Sequence, residues 1–273
     1  MAVSLFAEHK ANGLVFFTIP SFTATGLTKH GFSSRQGGVS TGECSSLNLS
    51  LKRKDLPENV RKNFEIFCDA LGIDTGRMVF AVQAHGDKVA AVDEKDRGKG
   101  FMRGSDITEA DGLITDKPGV ALVTFHADCV PLFFLDPEKK AIGLAHAGWR
   151  GTIARIGAKT IAAMQDKFNT DPGDCLAAIG PSIGQCCFEV DKPVADGFRA
   201  AFPQHAERLI EPIGEKYHVD LWLANKIQLI EAGIREENIT IAGMCTACNK
   251  DMFFSHRRDL GRTGSHAAMI MLA

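Results

Sequence analysis

The sequence predicts an α/β fold of the α+β kind: a single domain of mixed β-sheets covered by helices. Two observations point there. Apolar runs of strand length, Val120–Phe125 and Val130–Leu135 with a third ending near Ala145, alternate along the chain with stretches of helical spacing. No internal repeat, low-complexity segment or linker interrupts the 273 residues, so one domain over residues 1–273 is expected.

Taken in order, the chain opens with a strand over Leu14–Ile19. A loop rich in Gly, Ser and Asn follows, from Ser33 to Ser50, with Arg35 and Asn48 as polar tips suited to touching a ligand. Asp55-Leu56-Pro57-Glu58 reads as a helix start, with Asp55 as a cap and Pro in the first turn. That helix runs to Leu71 on a stripe of Val60, Phe64, Phe67, Cys68 and Leu71, and Gly72 ends it. Met78–Ala84 and Val89–Val92 are β-branched and aromatic and read as a hairpin that delivers Gln83 and His85 to its turn. Asp93–Ile107 is polar and Gly-containing and reads as a mobile loop, and Asp111–Thr115 leads back into the apolar strands. Beyond Arg150, Ile153, Ile156, Ile161, Met164 and Phe168 take helical spacing, with Thr152 as a cap. Leu176–Ile179, Lys216–Val219 and Ile239–Met244 are strands. Pro193–Phe202 and Asp220–Glu231 are helices, the latter with Leu221, Ala224, Ile227 and Ile230 inward. Phe253-Phe254 opens a final strand system closed by Ala267–Leu272.

Composition narrows the function classes. A net charge of −2 without blocks of like charge gives no surface for nucleic acid or membranes. No apolar segment approaches the roughly 20 residues of a membrane span, and MAVSLFAEHK lacks the apolar run of a leader, so a cytoplasmic protein is expected. Its eight cysteines are then free, metal-bound or reactive rather than bridged. Cys44, in a loop, and Cys68, on an apolar helix face, read as inert.

The central strands carry residues a core would not choose: His126, Asp128, Cys129, His146, Trp149 and Arg150. A catalytic zinc site needs three N, S or O ligands and leaves the fourth position open. His85, Cys129 and His146 each follow or end a strand beside small or turn residues, and side chains from neighbouring strand ends can converge on one ion. Copper suits the same imidazole and thiolate donors. A rival site joins Cys245-Thr246-Ala247-Cys248 to Cys186-Cys187 as a closed structural zinc, although adjacent cysteines diverge in most backbone conformations. Asp128, beside a ligand, is a candidate proton shuttle or partner orienting a histidine. Arg150, Arg35, Gln83 and Asn48 are candidates for touching a ligand.

The strings SSRQGGVSTGECSSLNLS, QAHGDKV, ADGLIT, HADCVPLFFLDP, GLAHAGWRGT, AIGPSIGQCCFEV and FFSHRRDLGRTG, in that order, resemble the bacterial laccase-domain (YfiH-like) family. Its members have been described as multicopper polyphenol oxidoreductases and as purine nucleoside phosphorylases. The resemblance implies a fold related to the catalytic domain of a cytotoxic necrotizing toxin and a metal held by His85, Cys129 and His146. It further implies action on adenosine, inosine, guanosine and methylthioadenosine, by phosphorolysis with phosphate and by deamination of adenosine. Copper-dependent phenol oxidation is one alternative. Amide hydrolysis with Cys129 as nucleophile and His146 as base, as in editing of peptidoglycan precursors, is another. The chain departs from the family where His256 replaces a usual Tyr and Ser265-His266 follows the closing Thr-Gly.

Overall fold

Side-chain alternation along the central strands decides the layering. In the computed structural model, which describes residues 6–273, the chain runs through β1 (Ala7–Ala11), β2 (Leu14–Thr18), α1 (Pro20–Thr25), β3 (Thr28–Ser33) and α2 (Pro57–Leu71). Next come β4 (Met78–Phe80), β5 (Val89–Ala91), β6 (Gly112–Thr115), β7 (Ala121–His126), β8 (Val130–Asp136) and β9 (Ala141–Ala147). They lead to α3 (Trp149–Ile153), α4 (Ile156–Phe168), β10 (Leu176–Ile179), β11 (Glu189–Val190), α5 (Lys192–Ala201) and α6 (Ala206–Leu209). The last elements are β12 (Ile210–Ile213), β13 (Lys216–Val219), α7 (Leu221–Glu231), β14 (Ile239–Ile241) and β15 (His266–Leu272). The leader reading of the N-terminus falls in part on residues 1–5, outside the described residues. No helix among those described is long and apolar enough to cross a membrane.

Two mixed six-stranded sheets result, in the orders β1-β2-β3-β15-β7-β4 and β14-β10-β8-β9-β6-β5, with a small third sheet β11-β13-β12. Leu122 of β7 and Ala268 and Ile270 of β15 meet Phe133 and Leu135 of β8 and Ile142 and Leu144 of β9 in one core between the large sheets. The alternate residues face outward. Ala121, Val123, Ala267 and Met269 pack under α2, with Phe64 and Phe67. Leu132, Phe134 and Ala145 pack under α4 and α7, with Ile161 and Leu229. A period of two on strands buried on both faces therefore builds four layers, helix, sheet, sheet, helix. Truncating one such side chain costs about 2–5 kcal/mol, a large part of the roughly 5–15 kcal/mol that holds a domain together.

The mixed sheets and covering helices agree with the sequence, as does α2, which starts on Pro57 and stops at Gly72 with φ 64°. Asp55 is not its cap: Leu56 holds that place, and the Asp55 carboxylate accepts from Ser40 and Asn48 instead. The expected hairpin is absent. β4 pairs parallel with β7 in the first sheet, and β5 pairs parallel with β6 in the second. Periodicity identifies a strand but not its partner. Asp93–Ile107 is ordered rather than loose, because Asp93 and Asp96 form a capping box and Phe101 is buried against Phe64 and Phe80. Beyond Arg150 the helix is split in two by Arg155, at φ 62°, so Arg150 lies in the first turn of α3 with Gly148 as its N-cap. Ile230 is exposed, and no strand forms at Phe253-Phe254.

Candidate active site

Three segments meet at one end of the sheet pair. His85 follows β4 in a left-handed conformation, φ 60°. Cys129 ends the short crossover that carries the chain from β7 in the first sheet to β8 in the second. His146 is the penultimate residue of β9. Their nitrogen and sulfur atoms lie within 4.8 Å of one another, close enough to share a metal ion.

A buried carboxylate organises two of the three. Asp111, at the entry to β6, accepts the amides of Ala84, His85 and Gly86 at 3.0, 3.1 and 2.8 Å. The left-handed turn at His85 is what lets consecutive N–H groups converge on one acceptor. The Nδ1–H of His146 donates to the same carboxylate at 2.8 Å, which leaves Nε2 facing Cys129 and His85. Carboxylate–imidazole pairs of this kind orient metal-ligating histidines.

Charge follows from the packing. Burial pushes His146 down, but Cys129 and the Asp111 carboxylate outweigh it and raise its pKa to about 9. Burial pushes the Cys129 thiol up, and the two histidines more than offset that, leaving it at about 6. The trio is thus poised with a thiolate at neutral pH, the form that binds metal or attacks carbon. Gly148 supplies room: a Cβ there would lie 3.2 Å from His85 Cδ2 and 3.3 Å from Cys129 Sγ. Two imidazoles, one thiolate and a space kept clear beside them fit a zinc- or copper-sized ion with one position left open.

A cavity of about 770 Å³ covers the trio. Phe80, Phe125, Trp149 and Phe188 supply aromatic walls, and Arg53, Arg150, His256 and Arg257 supply polar ones. Arg150 lines the cavity with its guanidinium stacked on Trp149, 4.3 Å from the ring centre. Gln83 also lines it, but its amide is engaged: Nε2 donates to the Phe125 carbonyl and Oε1 accepts from the Phe125 amide. Asp128 touches neither histidine of the trio. Its oxygens accept from the Thr246 and Ser255 hydroxyls and from the Arg257 amide, at 2.6, 3.0 and 2.7 Å, so it holds the C-terminal loops in place.

Two expected ligand contacts lie elsewhere. Asn48 is fully buried; its amide binds Ser50 and Asp55 and accepts the Ser265 amide. Arg35 donates to the carbonyls of Ser45 and Lys250 and stacks on Phe254, outside the cavity. Loop backbones carry unpaired polar groups, and these side chains satisfy them.

Sequence reasoning missed Asp111, whose only signal was its place in the ADGLIT string; of the short basic cluster Lys52-Arg53-Lys54, which reads as solvated or site-directed, Arg53 donates from Nε to Ser265 at 2.8 Å beside the cavity. His126 is not a ligand. Its Nδ1–H donates to the Cys129 carbonyl and its Nε2 accepts from Thr124, and burial keeps it neutral. The rival thiol group does assemble, although Cys186 and Cys187 are adjacent: the sulfurs of Cys186, Cys187, Cys245 and Cys248 lie within 4.8 Å of one another.

Known proteins share this arrangement of strands. The crystal structure of YlmD from Geobacillus stearothermophilus superposes with a TM-score of 0.92 at 36% identity, over 98% of this chain and 99% of that one. Purine nucleoside phosphorylase YlmD of Bacillus subtilis is 39% identical over 242 residues, covering 88% of this chain and 87% of that protein. A purine nucleoside phosphorylase of Bacteroides thetaiotaomicron is 34% identical over 251 residues, covering 89% and 91%. The profile described as multi-copper polyphenol oxidoreductase laccase matches residues 29–273. With relatives this similar and a profile match over nearly the whole length, the chain belongs to the multi-copper polyphenol oxidoreductase laccase family.

Proposed function

We propose that this chain is a metal-dependent purine nucleoside enzyme. It would cleave adenosine, inosine, guanosine and methylthioadenosine with phosphate, and deaminate adenosine with water. The observation that carries the reading is one open His85–Cys129–His146 site at the floor of a cavity walled by aromatic rings and arginines. Relatives carrying the name purine nucleoside phosphorylase support the substrate class.

An ion held by the trio, zinc rather than copper in this reading, supplies a Lewis acid beside the reacting atoms. The chain's own residues do the rest. A purine can lie against the aromatic walls. Arg150, with Arg53 as the second candidate, pairs with the phosphate oxygens that attack the ribose C1′ while the C1′–N9 bond breaks. Asp111 keeps both histidines aimed and so acts through them. The reading treats residues 1–273 as one catalytic domain, at work in the reducing cytoplasm that eight free thiols suit.

Product analysis tests this. Purified protein with adenosine and phosphate should yield adenine and ribose 1-phosphate, and without phosphate inosine. A chelator and His85→Ala should abolish both reactions together. Phenol oxidation as the sole metal-dependent activity would overturn the reading. A four-copper oxidase is poorly supported, because the nine histidines form no His-x-His pair.

A second reading has an observation of its own. Cys129, His146 and Asp111 stand as nucleophile, base and orienting carboxylate, the order of a cysteine hydrolase. It would fit the toxin-like ancestry that the sequence resemblance implies. Metal content separates the two, since hydrolysis by this triad persists in metal-free protein and nucleoside chemistry does not.

A further inference from the structure

We propose that Cys186, Cys187, Cys245 and Cys248 bind one zinc ion in a closed, structural four-thiolate site. The cluster lies outside the cavity, and the proposal is independent of the nucleoside reading.

All four sulfurs lie within 4.8 Å of one another, and Cys248 Sγ is 3.5 Å from Cys186 Sγ and 3.4 Å from Cys187 Sγ. Four sulfurs around a zinc at about 2.3 Å sit roughly 3.8 Å apart, so a small adjustment admits the ion. A disulfide joins two sulfurs only, and Cys248 is equally close to two partners, so one bridge leaves the arrangement unexplained.

A turn of 3-10 helix, Gln185–Cys187, brings both adjacent thiols within reach of Cys248. Ser182 bridges to Cys245, with Thr246 N–H donating to the Ser182 carbonyl at 3.0 Å. The two cysteine-bearing loops are therefore joined by main chain before any metal is considered. The Gly184 amide donates to Cys245 Sγ at 3.2 Å, the kind of contact that supports a metal-bound thiolate. Gly184 also leaves a space: a Cβ there would meet Cys186 Sγ and Cys245 Cβ, both at 3.3 Å.

Thr246, inside the C-x-x-C segment, holds Asp128, the neighbour of Cys129. Arg257 donates to the carbonyls of Cys187 and Glu189 and reaches the cavity wall. Four thiolates leave no open position for a substrate, so the ion would clamp loops rather than react.

Zinc content and coordination test this on full-length protein purified with reductant and zinc. Cys129→Ala removes the cavity site and should still carry one zinc per chain, with an X-ray absorption spectrum showing four sulfur neighbours. Cys245→Ser/Cys248→Ser should lose that zinc and melt at lower temperature. If this variant fails to fold, cobalt exchange into Cys129→Ala provides the readout: a strong thiolate-to-cobalt absorption of a tetrahedral four-sulfur site is expected. A metal-free Cys129→Ala, an iron–sulfur chromophore in its place, or a disulfide to Cys248 found by mass spectrometry would each overturn the proposal. Failure of the nucleoside assay alone would leave it standing.

Discussion

Asp111 binds His146 Nδ1 at 2.8 Å and the His85 amide at 3.1 Å through the same oxygen, Oδ1, so one buried carboxylate aims two of the three candidate ligands. Asp111→Asn keeps an acceptor in place but weakens the grip on both. Partners of this kind are worth about 10- to 100-fold in metal affinity. Zinc titration against a competing chelator should show a loss in that range, with the protein still folded by circular dichroism. Unchanged affinity would reduce Asp111 to a fold-keeping role.

Gly148→Ala separates room from backbone freedom. Gly148 has φ −67° and ψ 171°, which alanine adopts without strain. Its added Cβ would press on His85 Cδ2 and Cys129 Sγ. Stability should move by no more than about 1 kcal/mol, the scale of an N-cap change, while metal occupancy and turnover fall sharply. A melting curve and a metal assay on the same preparation check both halves.

Arg150→Lys tests the phosphate role. The guanidinium stacks on Trp149 at the cavity wall, and an exposed contact of that kind contributes only about 0.5–1 kcal/mol. Lys keeps the charge but lacks the planar fork that matches phosphate. The phosphate requirement of phosphorolysis should rise, with a loss of about 2–4 kcal/mol or roughly 30- to 1000-fold, while deamination and melting temperature change little. Equal loss of both reactions together with lowered melting temperature would move the role to Arg53.

Acid stability should be set in part by His30 and His266. Burial holds His30 at about 4 and His266 at about 3. Each Nε2 accepts a main-chain amide, from Ile19 and Phe254 respectively, which a protonated ring cannot do. Below pH 6.5 the unfolded chain takes up protons that the folded chain refuses. Stability is therefore full above that pH and falls as the pH drops toward 4 for His30 and 3 for His266. Each histidine contributes about 1.4 kcal/mol per pH unit inside its window. Urea unfolding from pH 7 to 4 should show a shallower slope for His30→Gln, by one proton's worth.

The candidate ligands were legible in the sequence because thiol and imidazole at strand ends have few structural uses. Their support was not. Asp111 looks like any acidic residue entering a strand, and its four contacts come from positions distant in sequence. Asn48 and Arg35 misled for a related reason: a polar side chain in a loop serves the loop's own backbone as readily as a ligand. β4 and β5 were recognisable as strands, yet pairing depends on the whole chain, and they belong to different sheets. Adjacent side chains at Cys186 and Cys187 need not diverge: a turn of 3-10 helix places both sulfurs beside Cys248, at 3.5 and 3.4 Å.

β7 stops at His126 in one sheet and β8 starts at Val130 in the other, so Cys129 stands on the seam between them. His85 reaches that seam from the first sheet's β4 and His146 from the second sheet's β9. An ion at this place would act as a rivet through two plates. Sliding one sheet over the other by an ångström would spread the donors before it exposed much of the core between them. Resistance to shear and capacity for catalysis would then be lost at the same moment, well short of unfolding, and the grip on the ion would measure the alignment of the sheets.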